Sequence, residues 1–207
     1  MRKLANTIDM KTTPHTLRPL GPILLLFASL VICLTLAPLS QAQTPPAPRQ
    51  AAPVPTAPAV ASTSHILLDF ASGNILAEKE PDLLVEPASI TKIMTTYVVF
   101  HELKQGRIQL SDMVPISEKA WSMEGSRMFV DVNSQVPVDE LLKGIIIQSG
   151  NDSSVAIAEY VAGSEEAFAD LMNHFAEILG MSNSHFVNAT GLPHPDHLTT
   201  ARDVAIL

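Results

Sequence analysis

Hydrophobic and polar positions divide the chain into three stretches. Ile23 to Ala37 is an almost unbroken apolar run, Thr44 to Ser64 mixes small residues with prolines, and from His65 onward apolar residues recur at strand or helix spacing. The third stretch carries the fold. Ile66 to Phe70 and Ile75 to Glu78 flank Ala71-Ser72-Gly73-Asn74, which predicts two short strands joined by a tight glycine turn. The first strand is almost wholly apolar, which predicts burial on both faces of a sheet.

Ile90 to Leu103 is rich in β-branched residues, yet Pro87 before it and Gly106 beyond it punctuate a helix. Ile93, Met94, Tyr97, Val98 and Phe100 leave little polar face, so this helix is expected to be buried in the middle of the domain. The stretch from Gly106 through Trp121 to Val130 gives no clear period. Pro137, with Asp139 and Glu140 in a first turn, opens an amphipathic helix through Leu141, Leu142, Ile145 and Ile146. A second helix from about Asp152 to Val161 ends at Gly163. Ser164 caps a third, whose stripe is Phe168, Leu171, Met172, Phe175, Ile178 and Leu179, ending at Gly180. Ser149-Gly150-Asn151 is therefore a bend between two helices. Thr200 with Asp203 forms a capping pair for a helix that has barely begun at Leu207, so the sequence is expected to be the front part of a longer protein.

Composition narrows the possibilities. The 207 residues are 46% hydrophobic and 16% charged, enough for one domain behind a leader. A net charge of -8, with no basic cluster after the leader, argues against a nucleic-acid partner. Met1 to Leu20 carries Arg2, Lys3, Lys11 and Arg18 against Asp9, the apolar run follows, and Ser40-Gln41-Ala42 precedes Gln43. That order predicts a signal peptide over 1–42, a Pro/Ala-rich linker over 43–64 and a folded part over 65–207. The protein is expected to be exported, to the periplasm or the outer face of the cytoplasmic membrane. The competing reading of Gly21 to Leu39 is an uncleaved anchor. The single cysteine, Cys33, lies in the leader behind Ile32, an unfavourable context for lipidation, and thiol chemistry is excluded from the mature part.

Candidate chemistry starts at Pro87-Ala88-Ser89-Ile90-Thr91-Lys92-Ile93-Met94. On a helix, residues three apart share a face, so the Lys92 amine can reach the Ser89 oxygen. A serine hydroxyl that passes its proton to a neutral amine can form an acyl-enzyme. Lysine is neutral near pH 7 only when desolvated or beside another cation.

Four stretches in order extend this pattern: Pro87 to Thr95, Gly125-Ser126-Arg127-Met128-Phe129, Gln148-Ser149-Gly150-Asn151-Asp152 and Thr200-Ala201-Arg202-Asp203. Together they resemble the serine penicillin-recognising enzymes, and among these the low-molecular-mass D-alanyl-D-alanine carboxypeptidases of the penicillin-binding protein 5 type. The resemblance covers roughly 65–207. It implies an α/β DD-peptidase/β-lactamase-like transpeptidase fold, helices packed on a mixed sheet, with the first turn of the nucleophile helix able to stabilise an oxyanion. It also implies that Ser89 attacks a peptidoglycan stem peptide ending in D-Ala-D-Ala, with Lys92 as base. Ser149 would then relay a proton to the leaving amine, Asn151 would hold the substrate amide, and β-lactam antibiotics would act as covalent inhibitors. No cofactor or metal is implied. The family's Lys-Thr-Gly strand has no counterpart in these 207 residues, nor has its C-terminal membrane-docking part, so the isolated chain is expected to fold poorly or be inactive.

Three rivals share parts of the pattern. A class A-like serine β-lactamase would show Ser-Asp-Asn and a loop glutamate, but Asp152, Glu159, Glu165, Glu166, Asp170 and Glu177 all fall on predicted helices or their ends. A non-catalytic penicillin-binding sensor would need a signalling segment that the sequence does not offer. A metallopeptidase would use His185, His194, Asp196 and His197, yet these sit in a proline-broken loop without a His-Glu-x-x-His pair, and read as surface residues.

Overall fold

The computed structural model describes residues 56–207, so the expected leader and residues 43–55 of the linker lie outside the described residues. Residues 56–64 carry no strand or helix. Strands β1 (His65–Leu68) and β2 (Ile75–Lys79) pair antiparallel, with His65 opposite Lys79 and a register shift between Leu67 and Leu68. The Asp69 carboxylate fixes the turn by accepting from the Ser72 N–H at 2.8 Å and the Ser72 hydroxyl at 2.7 Å. The expected burial of the first strand on both faces is not observed, since Leu67 is 55% exposed. Among the described residues β1 pairs only with β2, and α6 (Ala201–Ile206) is the helix packed against it.

A 3₁₀ turn, Ala88–Ile90, leads into α1 (Thr91–Lys104). Met94, Val98 and Val99 of α1 are fully buried, whereas Ile93 and Phe100 are half exposed. Ile93 and Phe100, seven residues apart, share a face that is turned away from the core, while Tyr97 packs against the core. The element enclosed on all sides is instead α4 (Asn151–Ala162), in which every residue from Asn151 to Ala158 is buried. Small side chains explain this: Ser153, Ser154, Ala156 and Ala158 let neighbouring helices approach closely.

Around α4 pack α1, α2 (Glu118–Trp121), α3 (Val138–Gln148) and α5 (Glu165–Leu179). Phe168, Met172, Leu141 and Val155 are completely buried, each contributing about 1.5–3 kcal/mol of hydrophobic stabilisation. Phe175 of α5 meets the edge of Tyr97 at 5.6 Å between ring centroids. The Ser164 hydroxyl accepts from the Ala167 N–H, and the Thr200 hydroxyl from the Asp203 N–H, as the capping patterns predict. The aperiodic stretch contains α2 and β3 (Met113–Pro115), which pairs antiparallel with β4 (Gln135–Pro137) just beyond it. Pro137 closes β4 and is the extended residue from which α3 starts. No helix among the described residues is long and apolar enough to cross a membrane.

Candidate active site

Ser89 lies in the 3₁₀ turn and Lys92 in the first turn of α1, and the predicted contact is present: Lys92 Nζ donates to Ser89 Oγ at 3.1 Å. Ala88, immediately before the serine, has φ 48°, a left-handed conformation that costs a non-glycine residue about 1–3 kcal/mol. Gly191 packs against that turn. A Cβ built on Gly191 would fall 1.8 Å from the Ala88 carbonyl oxygen, and its own φ of +82° also requires glycine. Ser89 is thus presented on a tight turn backed by the 188–191 loop.

Two further acceptors hold the amine: Asn151 Oδ1 at 2.8 Å and the Thr190 carbonyl at 2.7 Å. Ser89 is exposed while Lys92 is only 5% exposed. Burial pushes the Lys92 amine down to about 8 from its ordinary value. No cation partner is needed for this. A cleft of about 300 Å³ opens over the pair, lined by Ser89, Lys92, Ile93, Thr96, Ile145, Ile146 and Ser149. A larger cleft of about 410 Å³, lined by Ile66, Val85, Pro87 and Val204 among others, includes neither Ser89 nor Lys92 and carries no such pair.

Ser149 reaches the same cleft from the end of α3, with φ 55° and ψ 38°. Its backbone is held where the Gly144 carbonyl accepts from both the Ser149 and the Gly150 N–H. Asn151 begins α4, and its amide is engaged at both ends: Nδ2 donates to the Glu124 carbonyl at 2.6 Å while Oδ1 accepts from Lys92. All four predicted site residues therefore converge, Ser149 by sharing the cleft and the others through direct bonds.

Several supporting groups escaped sequence reasoning. The buried Asp152 carboxylate accepts from the backbone N–H groups of Met128 (3.0 Å), Phe129 (2.8 Å) and Val130 (3.2 Å), fastening that strap beside the Asn151 N–H···O=C Ser126 bond of 2.7 Å. Thr95 Oγ1 donates to the Ala189 carbonyl at 2.8 Å. Asn188 Oδ1 accepts from the Thr190 N–H, the Thr190 hydroxyl and the Gly191 N–H. The only available signal was Asn188 and Gly191 in a loop; a backbone carbonyl such as that of Thr190 has no signature in residue type.

The histidine loop needs a correction. His185, His194 and Asp196 are exposed as expected, but His197 is 1% exposed. Its Nδ1 accepts from the Val187 N–H at 3.1 Å, which leaves Nε2 to donate to Thr91 Oγ1 at 2.8 Å. The bridges His185↔Leu198 and Val85↔Thr199 fold the loop back and bury this ring behind the turn that carries Ser89. Burial, with His185 and His194 adding to it, pushes His197 down to about 4. Among the described residues no group of three or more His, Cys, Asp or Glu is placed to hold a metal ion.

Residues 51–207 match the family described as D-alanyl-D-alanine carboxypeptidase. The chain is 48% identical over 157 residues to the D-alanyl-D-alanine carboxypeptidase DacC of Escherichia coli K12, covering 73% of this chain and 39% of that protein. Its structure superimposes on the crystal structure of D-alanyl-D-alanine carboxypeptidase DacD from Francisella tularensis with a TM-score of 0.72 and 41% identity, covering 77% of this chain and 39% of the other. For penicillin binding protein 5 from Haemophilus influenzae the TM-score is 0.72 at 42% identity, covering 74% and 45%. The described part thus has the DD-peptidase fold, in its α/β class, and the chain spans roughly two fifths of the length of such relatives.

Proposed function

This chain belongs to the D-alanyl-D-alanine carboxypeptidase family, and from that membership we propose that the full-length protein is a serine-type carboxypeptidase of peptidoglycan. The substrate is a stem pentapeptide ending in D-Ala-D-Ala. Ser89 Oγ gives its proton to Lys92 Nζ and attacks the carbonyl of the penultimate D-alanine. The tetrahedral carbon then expels the terminal D-alanine, whose amine takes a proton from Lys92 by way of Ser149. Water hydrolyses the remaining Ser89 ester. Asn151 aligns the peptide amide while it steadies Lys92. The strained amide of a β-lactam enters by the same attack, which makes such antibiotics covalent inhibitors.

The observation that carries this reading is a buried amine, lowered to about 8, at 3.1 Å from the serine oxygen. A lysine with its ordinary proton affinity would be a cation at working pH and could not accept the Ser89 proton. The sequence pattern of a leader over 1–42 supports a place of work outside the cytoplasm, in the periplasm or at the outer face of the cytoplasmic membrane.

The full-length protein is expected to release D-alanine from a synthetic pentapeptide and to take a covalent label from a fluorescent penicillin. Both are expected to vanish in Ser89→Ala. Label that persists in Ser89→Ala, or a wild-type protein that releases no D-alanine, would overturn the assignment.

A further inference from the structure

The Thr190 carbonyl is the third support of the Lys92 amine, and the loop that carries it is fixed from a side that the proposed chemistry does not use. Glu165, the first residue of α5, is 7% exposed and sends its carboxylate into the loop rather than to solvent. Oε1 accepts from the Ala189 N–H at 3.1 Å, and Oε2 pairs with Lys119 Nζ at 2.9 Å. Thr95 Oγ1 donates to the Ala189 carbonyl, and one residue on, the Thr190 carbonyl accepts from Lys92. Each bond in this series is direct: Lys119 to Glu165, Glu165 to the Ala189 amide, Thr190 to Lys92, Lys92 to Ser89.

We infer that Glu165 is a positioning residue for acylation: its reach to the Ala189 amide holds the Thr190 carbonyl where it keeps Lys92 Nζ aimed at Ser89 Oγ. This rests on the reading of Ser89 and Lys92 given above. The acceptor position matters, not the charge of Glu165. Unpinned, the loop would swing the Thr190 carbonyl, and the amine would follow one of its two remaining partners. Misplacement of a base on the ångström scale costs up to about a hundredfold in rate.

Two conservative variants of the full-length protein separate reach from charge. Glu165→Gln, made throughout in a Lys119→Met background so that the amide NH₂ meets no cation, keeps an acceptor oxygen on the Ala189 N–H at the same distance without the charge; Glu165→Asp keeps the charge but withdraws it by one methylene. Stopped-flow labelling with fluorescent penicillin reads the acylation rate constant, its half-saturating concentration and the labelled fraction. Glu165→Gln is expected to stay within about twofold of wild type, and Glu165→Asp to acylate about tenfold more slowly at an unchanged labelled fraction and half-saturation. A Glu165→Asp rate equal to wild type overturns the inference. So does a Glu165→Gln as slow as Glu165→Asp, since charge would then be what counts. A loss of labelled fraction in either variant, with the rate of the remainder unchanged, would mean support of folding only and overturns it too. Failure of the underlying reading is distinguishable: in that case wild-type label would survive Ser89→Ala.

Discussion

With Lys92 as the base proposed above, its proton affinity sets a rate that can be followed with pH. An amine at its ordinary value of 10.5 would be neutral in only about 0.03% of molecules at pH 7, whereas one lowered to about 8 is neutral in roughly a tenth of them. Burial therefore raises the supply of base about three-hundredfold at that pH. The acceptors Asn151 Oδ1 and Thr190 carbonyl work against this by favouring the ammonium, yet burial prevails because the amine is only 5% exposed on its residue. The acylation rate constant for a penicillin is expected to rise about tenfold per pH unit from pH 6, bend near pH 8 and level off above it. Lys92→Arg is expected to abolish label at every pH tested, because a guanidinium does not give up its proton in this range. A profile flat from pH 6 to 8, or a rise that continues unbent to pH 10, refutes the argument that burial supplies the base.

Other consequences are measurable on the same full-length protein. Gly191→Ala would place a methyl 1.8 Å from the Ala88 oxygen at φ +82°, so it is expected to lower stability by about 2 kcal/mol or more and to slow acylation; an unchanged thermal midpoint refutes this. Asp152→Asn turns an amide NH₂ toward backbone donors that now share a carboxylate, and a loss of about 2 kcal/mol in denaturant unfolding is expected. His197 sits at about 4 folded against an ordinary 6.5, so the unfolded chain takes up a proton that the folded one refuses as pH falls from 6.5 to 4. Its share of stability is therefore full above about pH 6.5 and lost toward pH 4, about 3 kcal/mol in all. Glutamine can make both of its bonds without titrating, so His197→Gln is expected to flatten the acid limb of the stability curve, and an identical limb would count against the assignment.

What the sequence made legible was local. The Ser89–Lys92 contact follows from spacing on one helical face, the Ser149-Gly150-Asn151 bend from glycine between two amphipathic stretches, and the caps at Ser164 and Thr200 from a hydroxyl ahead of an apolar run. Burial was harder to read. Hydropathy favoured α1 as the central helix because Ile93 and Phe100 count as apolar, yet both face outward. The enclosed helix is α4, whose serines and alanines score poorly and pack well. His197 was misread for a related reason: prolines mark a loop, but only pairing with Phe186, Val187 and Thr91 decides which loop residue turns inward.

The long-range part of the site has a different logic, because it is assembled where three segments meet. The 3₁₀ turn and the start of α1 bring Ser89 and Lys92, the α3–α4 bend brings Ser149 and Asn151, and the 188–191 loop brings a carbonyl and a glycine. Each of the first two announces itself in side chains with chemistry, and the third does not. Its contribution is a backbone oxygen for Lys92 and a missing Cβ against Ala88, so its importance shows only when the separation in sequence between Lys92 and Thr190 collapses to 2.7 Å. That also accounts for the spread of supporting groups. A loop with no regular hydrogen bonds of its own must be held by side chains: Glu165 and Thr95 hold it from outside, Asn188 from within, and His197 fixes Val187 just ahead of it. Loosening one anchor would leave the others in place, so graded losses in acylation, rather than collapse, are what the arrangement demands.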